Sequence, residues 1–182
     1  MKTSREKKTP IQALAALHES ASLRAVTGPS LRPGGFLLTE RGLSLCGFSP
    51  GARIVDVGCG TGASVAYLQE KHRHRALGVD VSGDLLPKND RKGNITAVVA
   101  RAEELPLSTG SCDGVLCECV LSLVTEPGRA VEEFSRVLRP GGFLILSDMY
   151  DRSADTVVPS VSASSGQCVS VLRTRPIIEM IL

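Results

Sequence analysis

Tryptophan is absent from this chain, and the other aromatics are scarce: aromatic residues make up 3% of 182 positions. Single-stranded nucleic acid binds on platforms of stacked aromatic rings, so that class of partner is not expected. Strong charge of one sign is also missing, the formal net charge being +2. The two basic runs, Lys2 to Lys8 and Lys71 to Arg75, read as solvated surface rather than a nucleic-acid footprint. No apolar run approaches the ~18 residues of a membrane span, and no apolar signal region follows the basic N-terminus. A cytoplasmic location is therefore expected, with the six cysteines reduced. There is no C-x-x-C pair, and His18, His72 and His74 lack ligand spacing, so no metal site is predicted.

What is present is an ordinary apolar content of 42%, enough for one domain with a core. Its most informative stretch is Val55-Asp56-Val57-Gly58-Cys59-Gly60-Thr61-Gly62. A short apolar run ends in three glycines at alternate positions, and an amphipathic segment from Ala63 to Gln69 follows. This predicts a strand, a sharp bend and a helix N-terminus, with the glycines removing Cβ atoms that would keep a ligand away. The dinucleotide fingerprint G-x-G-x-x-G has a different spacing. Asp56 also precedes the bend, where a carboxylate would repel a pyrophosphate but suit a cationic or amine-bearing ligand. A nicotinamide-dependent oxidoreductase is thus the weaker of the nucleotide readings. Twenty residues after Gly60, the apolar run Ala76–Val81 carries Asp80 at its end. A carboxylate there can accept hydrogen bonds from both ribose hydroxyls of a nucleoside.

Apolar strands alternate with helical segments along the middle of the chain. Strands are expected at 53–57, 76–81, 95–100, 114–119 and 143–148. Helices are expected from Thr39 as N-cap through Cys46, over 63–71, in broken form over 84–89, and over 127–138 before Pro140-Gly141-Gly142. The alternation implies an α/β fold with a doubly wound, mostly parallel sheet. Ligands in such sheets bind outside the carboxyl ends of the strands. Three regions are expected: a peripheral segment 1–33, a core 34–150 and an atypical tail 151–182. In the tail, 156–163 and 168–173 read as a hairpin with Pro159 at an edge.

The motif D-x-G-x-G-x-G, read with Ala102-Glu103-Glu104-Leu105-Pro106 and Arg136-Val137-Leu138-Arg139-Pro140-Gly141-Gly142, resembles class I S-adenosylmethionine (SAM) methyltransferases over about residues 36–150. The resemblance implies a Rossmann-like methyltransferase fold, SAM as cofactor, and methyl transfer to a small-molecule acceptor. It implies a cofactor site of Asp56, Gly58, Cys59, Gly60, Gly62, Asp80, Val81, Ala102, Glu103 and Cys117. Arg101 stands where the family usually has an Asp or Asn beside the adenine amine. Arginine offers no acceptor, so the adenine must be read by main chain or by Glu103. The family also ends in two further strands, which the Ser- and Val-rich tail does not suggest. That mismatch motivates a second reading, a SAM-binding module without independent activity.

Methyl transfer from a sulfonium needs alignment more than covalent help, so the acceptor site is less legible than the cofactor site. Candidates for it are Cys119, Glu118 and Tyr150, with Asp148 beside them. The run Val115 to Val124, with Ser147 to Tyr150, is similar to the matching part of arsenite methyltransferases, where a cysteine at the Cys119 position holds the metalloid. Thiolates suit such soft centres, although Cys46, Cys59 and Cys168 match no further ligand position. For Glu118 the plainer reading is a cap or a solvent-facing group. A homodimer is the one assembly considered.

Overall fold

Five short apolar runs form a single parallel sheet: β1 (Arg53–Val57), β2 (Arg75–Asp80), β3 (Thr96–Val99), β4 (Cys112–Glu118) and β5 (Leu138–Ser147). Their spatial order is β3-β2-β1-β4-β5, and every neighbouring pair is parallel. The computed structural model describes residues 30, 32, 35–87, 95–148, 150–151 and 173–174. The chain runs outward from β1 through β2 to β3, then crosses back to β4 on the other side of β1. That reversal opens a crevice between the carboxyl ends of β1 and β4.

Both faces of the sheet are covered, and strand periodicity decides which residue goes where. Val55, Val57, Val79, Val115 and Cys117 point to one side, where they meet Ala130, Phe134 and Val137. Ile54, Leu116 and Ile145 point to the other, against Leu43, Val65 and Leu68. The first group belongs to helix α3 (Pro127–Val137), which starts with Pro at its first turn and buries one face at helical spacing. The second belongs to α1 (Leu37–Cys46) and α2 (Ala63–Glu70). Fully burying a Val, Leu or Phe side chain stabilises a fold by about 1.5–3 kcal/mol, so these two layers carry the core. No helix among the described residues is long and apolar enough to cross a membrane.

Several expected boundaries move. Helix α1 begins at Leu37, with Phe36 as its flanking residue and no side-chain cap. Thr39 is therefore inside the helix and fully buried, not its N-cap. Residues 81–87 form turns and bends rather than the start of a broken helix, and 88–94 lie outside the described residues. After α3 the backbone goes straight into β5 at Leu138, and the ladder with β4 shifts between Cys112 and Gly114 before Phe143. Tyr150–Asp151 (β6) and Arg173–Thr174 (β7) pair in parallel. The hairpin expected over 156–163 and 168–173 lies outside the described residues apart from Arg173.

On the outer surface Glu40 joins α1 to α2. Its Oε1 accepts from Lys71 Nζ at 2.7 Å, from the Tyr67 hydroxyl, and lies 2.9 Å from His72 Nε2. Hydrogen bonds from Lys71, Tyr67 and His72 hold its carboxyl down at about 2.

Candidate cofactor site

The crevice beside β1 and β4 is a cleft of about 200 Å³, and the bend after β1 forms its floor. Three glycines allow that bend because each has positive φ: 78° at Gly58, 52° at Gly60 and 79° at Gly62. Their missing side chains are not all a concession to a ligand. A Cβ at Gly58 would lie 2.2 Å from Val120 Cγ2, and one at Gly62 would lie 2.8 Å from Ile95 Cγ2. At those two positions protein side chains fill the space, so packing requires glycine there as well.

Two carboxylates at adjacent strand ends face this cleft. Asp80, at the end of β2, accepts the Gly60 N–H on Oδ2 and the Ser82 N–H on Oδ1, both at 2.8 Å. A carboxylate has roughly four lone-pair sites, so Asp80 keeps capacity for further donors. Asp56, on β1, is 4% exposed, and its Oδ2 has no hydrogen-bond partner. Burial pushes its carboxyl up to about 7; nearby Arg32 opposes the rise, and Glu118 and Asp80 add to it. A buried polar atom left unmatched costs about 1–3 kcal/mol.

The remaining charges on the cleft walls pair off. Arg32 Nη2 lies 2.7 Å from Glu118 Oε2 in a buried ion pair. The same guanidinium donates to Thr39 Oγ1 at 2.6 Å, to Ser64 Oγ at 3.0 Å and to the Gly35 carbonyl at 3.2 Å. Thr39 Oγ1 in turn donates to Glu118 Oε2 at 2.9 Å. Glu118 is therefore neither a cap nor solvent-facing; the side chain is 1% exposed and fully engaged. At the other end, Arg101 Nη2 donates to Glu103 Oε1 at 2.8 Å. Burial alone would raise the Glu103 carboxyl, but bonds from its own N–H, Arg101 and the Glu126 N–H hold it below the usual range. With those two pairs neutralised, Asp56 and Asp80 are the acids of the lining that no cation among the described residues is paired with. The cleft calls for a ligand that brings positive charge and hydrogen-bond donors.

Of the sequence-expected cofactor residues, Asp56, Gly58, Cys59, Gly60, Asp80, Val81, Ala102 and Glu103 line the cleft. Gly62 and Cys117 do not: Gly62 caps α2, and Cys117 is wholly buried in the core under α3. Cys119 lines the cleft with φ 57°, a left-handed backbone that a non-glycine residue adopts rarely. Asp148 instead holds the turn after β4, accepting from the Ser122 N–H at 2.8 Å and the Ser122 hydroxyl at 2.9 Å. The Tyr150 side chain lies outside the described residues. Sequence reasoning missed Ser30 and Arg32, which come from the segment ahead of α1 and stand in the cleft wall.

This architecture matches a known one. The model of a methyltransferase domain family matches residues 55–146. The chain belongs to the class I SAM-dependent methyltransferase family. It is 37% identical over 132 residues to an uncharacterized methyltransferase, YodH, of Bacillus subtilis, covering 70% of this chain and 55% of that protein. It is 35% identical over 116 residues to the ubiquinone/menaquinone biosynthesis C-methyltransferase UbiE of Syntrophotalea carbinolica, covering 60% and 48%. Among solved structures, the [4+2]-cyclase SpnF superposes with a TM-score of 0.68 at 25% identity, covering 80% of this chain and 55% of that one. A Haemonchus contortus phosphoethanolamine N-methyltransferase, solved with S-adenosylhomocysteine, shares the fold at TM-score 0.73 and 23% identity, over 88% of this chain and 39% of that one. The chain spans about half the length of the curated relatives it matches.

Proposed function

We propose that this chain binds SAM in the β1/β4 crevice and transfers its methyl group to a small-molecule acceptor. The observation that carries the reading is the unpartnered, buried Oδ2 of Asp56 beside Asp80, in a cleft whose other charges are paired. A cationic amino-acid end matches Asp56, and a ribose diol matches the spare acceptor capacity of Asp80. When bound, SAM supplies an electrophilic methyl whose leaving group is a neutral thioether. The chain's own residues hold and orient. The Ala102 main chain is available for the adenine, beside Glu103, whose Oε1 already accepts from Arg101 and the Glu126 N–H. Glu118 is bound by Arg32, Thr39 and Ser147, so it holds the wall together rather than moving a proton. An acceptor that is nucleophilic without prior deprotonation suits that arrangement.

Among the described residues no group of three or more His, Cys, Asp or Glu side chains could hold a metal ion. The thiophilic acceptor at Cys119 thus gains no further ligand among the described residues. A second reading, SAM binding without methyl transfer, draws support from the likeness to SpnF, which is named for a cyclisation. Calorimetry with S-adenosylhomocysteine and NAD, followed by labelled-methyl transfer over amines, phenols, thiols and arsenite, separates these readings. Homocysteine-nucleoside binding with turnover supports the methyltransferase. Binding without turnover across the panel favours the second reading, and preferential NAD binding overturns both.

A further inference from the structure

Three neighbouring strands bring their ends to the cleft in the order β1, β2, β3, and the hydrogen-bonding character changes along that row. Asp56 on β1 and Asp80 on β2 offer acceptors. The chain leaving β3, which lines the cleft from Ala100 to Glu103, offers donors instead. The Ala102 N–H meets no acceptor among the described residues, although the residue is only 8% exposed. Arg101 commits Nη2 to Glu103 Oε1 at 2.8 Å and to Thr125 Oγ1 at 3.4 Å. Its Nε and Nη1 take no partner among the described residues. Glu103, the acid lining this end, is already faced by its own N–H, by Arg101 and by the Glu126 N–H.

We infer that Arg101 makes this cleft blind to the 6-amino group of a bound purine nucleoside, whose base is read at ring nitrogen N1 by the Ala102 N–H. This rests on the SAM reading and deepens it. A nucleoside with its amino-acid end at Asp56 and its ribose at Asp80 continues along the row, so its base lies at the end of β3. There adenine presents N1, an acceptor, beside the 6-amino group, a donor. The Ala102 N–H complements the first. Arginine has five N–H groups and no acceptor, so Arg101 cannot pair with the second. The Glu103 and Thr125 bonds keep its guanidinium at this end of the cleft, with its side chain 48% exposed. An amine placed there exchanges no water contact for a protein one and adds no affinity. Arg101 therefore sets base specificity by withholding an acceptor.

The test measures three ligands by calorimetry on the full chain: S-adenosylhomocysteine, its 6-deamino analogue with purine in place of adenine, and its 1-deaza analogue, which keeps the amine but lacks N1. Unmodified protein should bind the first two within about threefold of each other. It should bind the 1-deaza compound about 2- to 10-fold more weakly, the range for one neutral hydrogen bond. Arg101→Asn puts an amide oxygen on the residue and should create a 2- to 10-fold preference for adenine over purine. A merely structural role for Arg101 would weaken both compounds alike and leave their ratio at one. The inference is overturned if removing the amine costs the unmodified protein more than about threefold, which would make Glu103 the reader of that group. Equal binding of the 1-deaza compound, or an unchanged ratio in Arg101→Asn, also overturns it. If none of the three ligands binds the unmodified protein, the SAM reading falls and takes this inference with it.

Discussion

Asp80 Oδ2 accepts the Gly60 N–H at 2.8 Å, which ties the carboxyl end of β2 to the bend that follows β1. One carboxylate thus shapes the loop and offers its remaining lone pairs to the cleft. Replacing it should therefore affect ligand binding through both routes. Asp80→Ala is expected to weaken S-adenosylhomocysteine binding by ~1–3 kcal/mol in calorimetry. Unchanged affinity would rule out the ribose assignment.

Gly58 is constrained by φ of 78° and by Val120, whose Cγ2 would sit 2.2 Å from an added Cβ. Gly58→Ala should cost about 1–3 kcal/mol in denaturant unfolding, from overpacking and backbone strain. Adding Val120→Ala should recover the packing part of that loss. A companion variant, Gly60→Val, forces a branched residue into φ near 52° and should abolish cofactor binding. Retained binding would contradict the bend as described.

Asp56 should make ligand affinity depend on pH. Its carboxyl is raised to about 7 in the folded protein, from an ordinary value of 3.8, chiefly by burial. Between those values the folded chain holds a proton that the unfolded chain has released. The contribution of this group to stability is therefore full below about pH 4 and is lost as pH climbs to 7. A cationic ligand needs the ionised form, so affinity should rise about tenfold per unit up to pH 7 and then level off. Calorimetry in two buffers of different ionisation enthalpy should show proton release at pH 6. Asp56→Asn should bind weakly with a flat profile; an unchanged slope in that variant would exclude Asp56 as the titrating group.

Phe134 is fully buried where α3 meets the sheet. Phe134→Ala should lower the unfolding free energy by about 3–5 kcal/mol. A loss below 1 kcal/mol in chemical denaturation would mean that the α3 layer is not part of the cooperative core.

The fold was legible because its signals are local. Strand β1 runs over 53–57 as expected, bounded by Gly51 and Gly58, and α3 shows its buried face in the spacing of Ala130, Phe134 and Val137. Asp56 and Asp80 were readable for the same reason, since each ends an apolar run next to a bend. The cleft wall was not. Thr39 and Glu118 are 79 positions apart, and no local pattern marks two such residues as partners. Thr39 resembled an N-cap because serine and threonine usually play that part. In the structure two exposed leucines, Leu37 and Leu38, precede it within the helix. Arg32 lies between Pro-Gly pairs that suggested only breaks in the chain, so its burial could not be read from composition.

Thr39 and its neighbour Glu40 point opposite ways from one turn of α1: Thr39 inward to Glu118, Glu40 outward to Tyr67, Lys71 and His72. The outer grip is strongest where Glu40 is ionised, so its contribution persists above its ordinary pKa of 4.5 and fades as acid takes it toward 2. Because one turn of α1 carries both contacts, acid that frees Glu40 leaves that turn held at its inner side by Thr39 and Glu118, in the wall of the crevice.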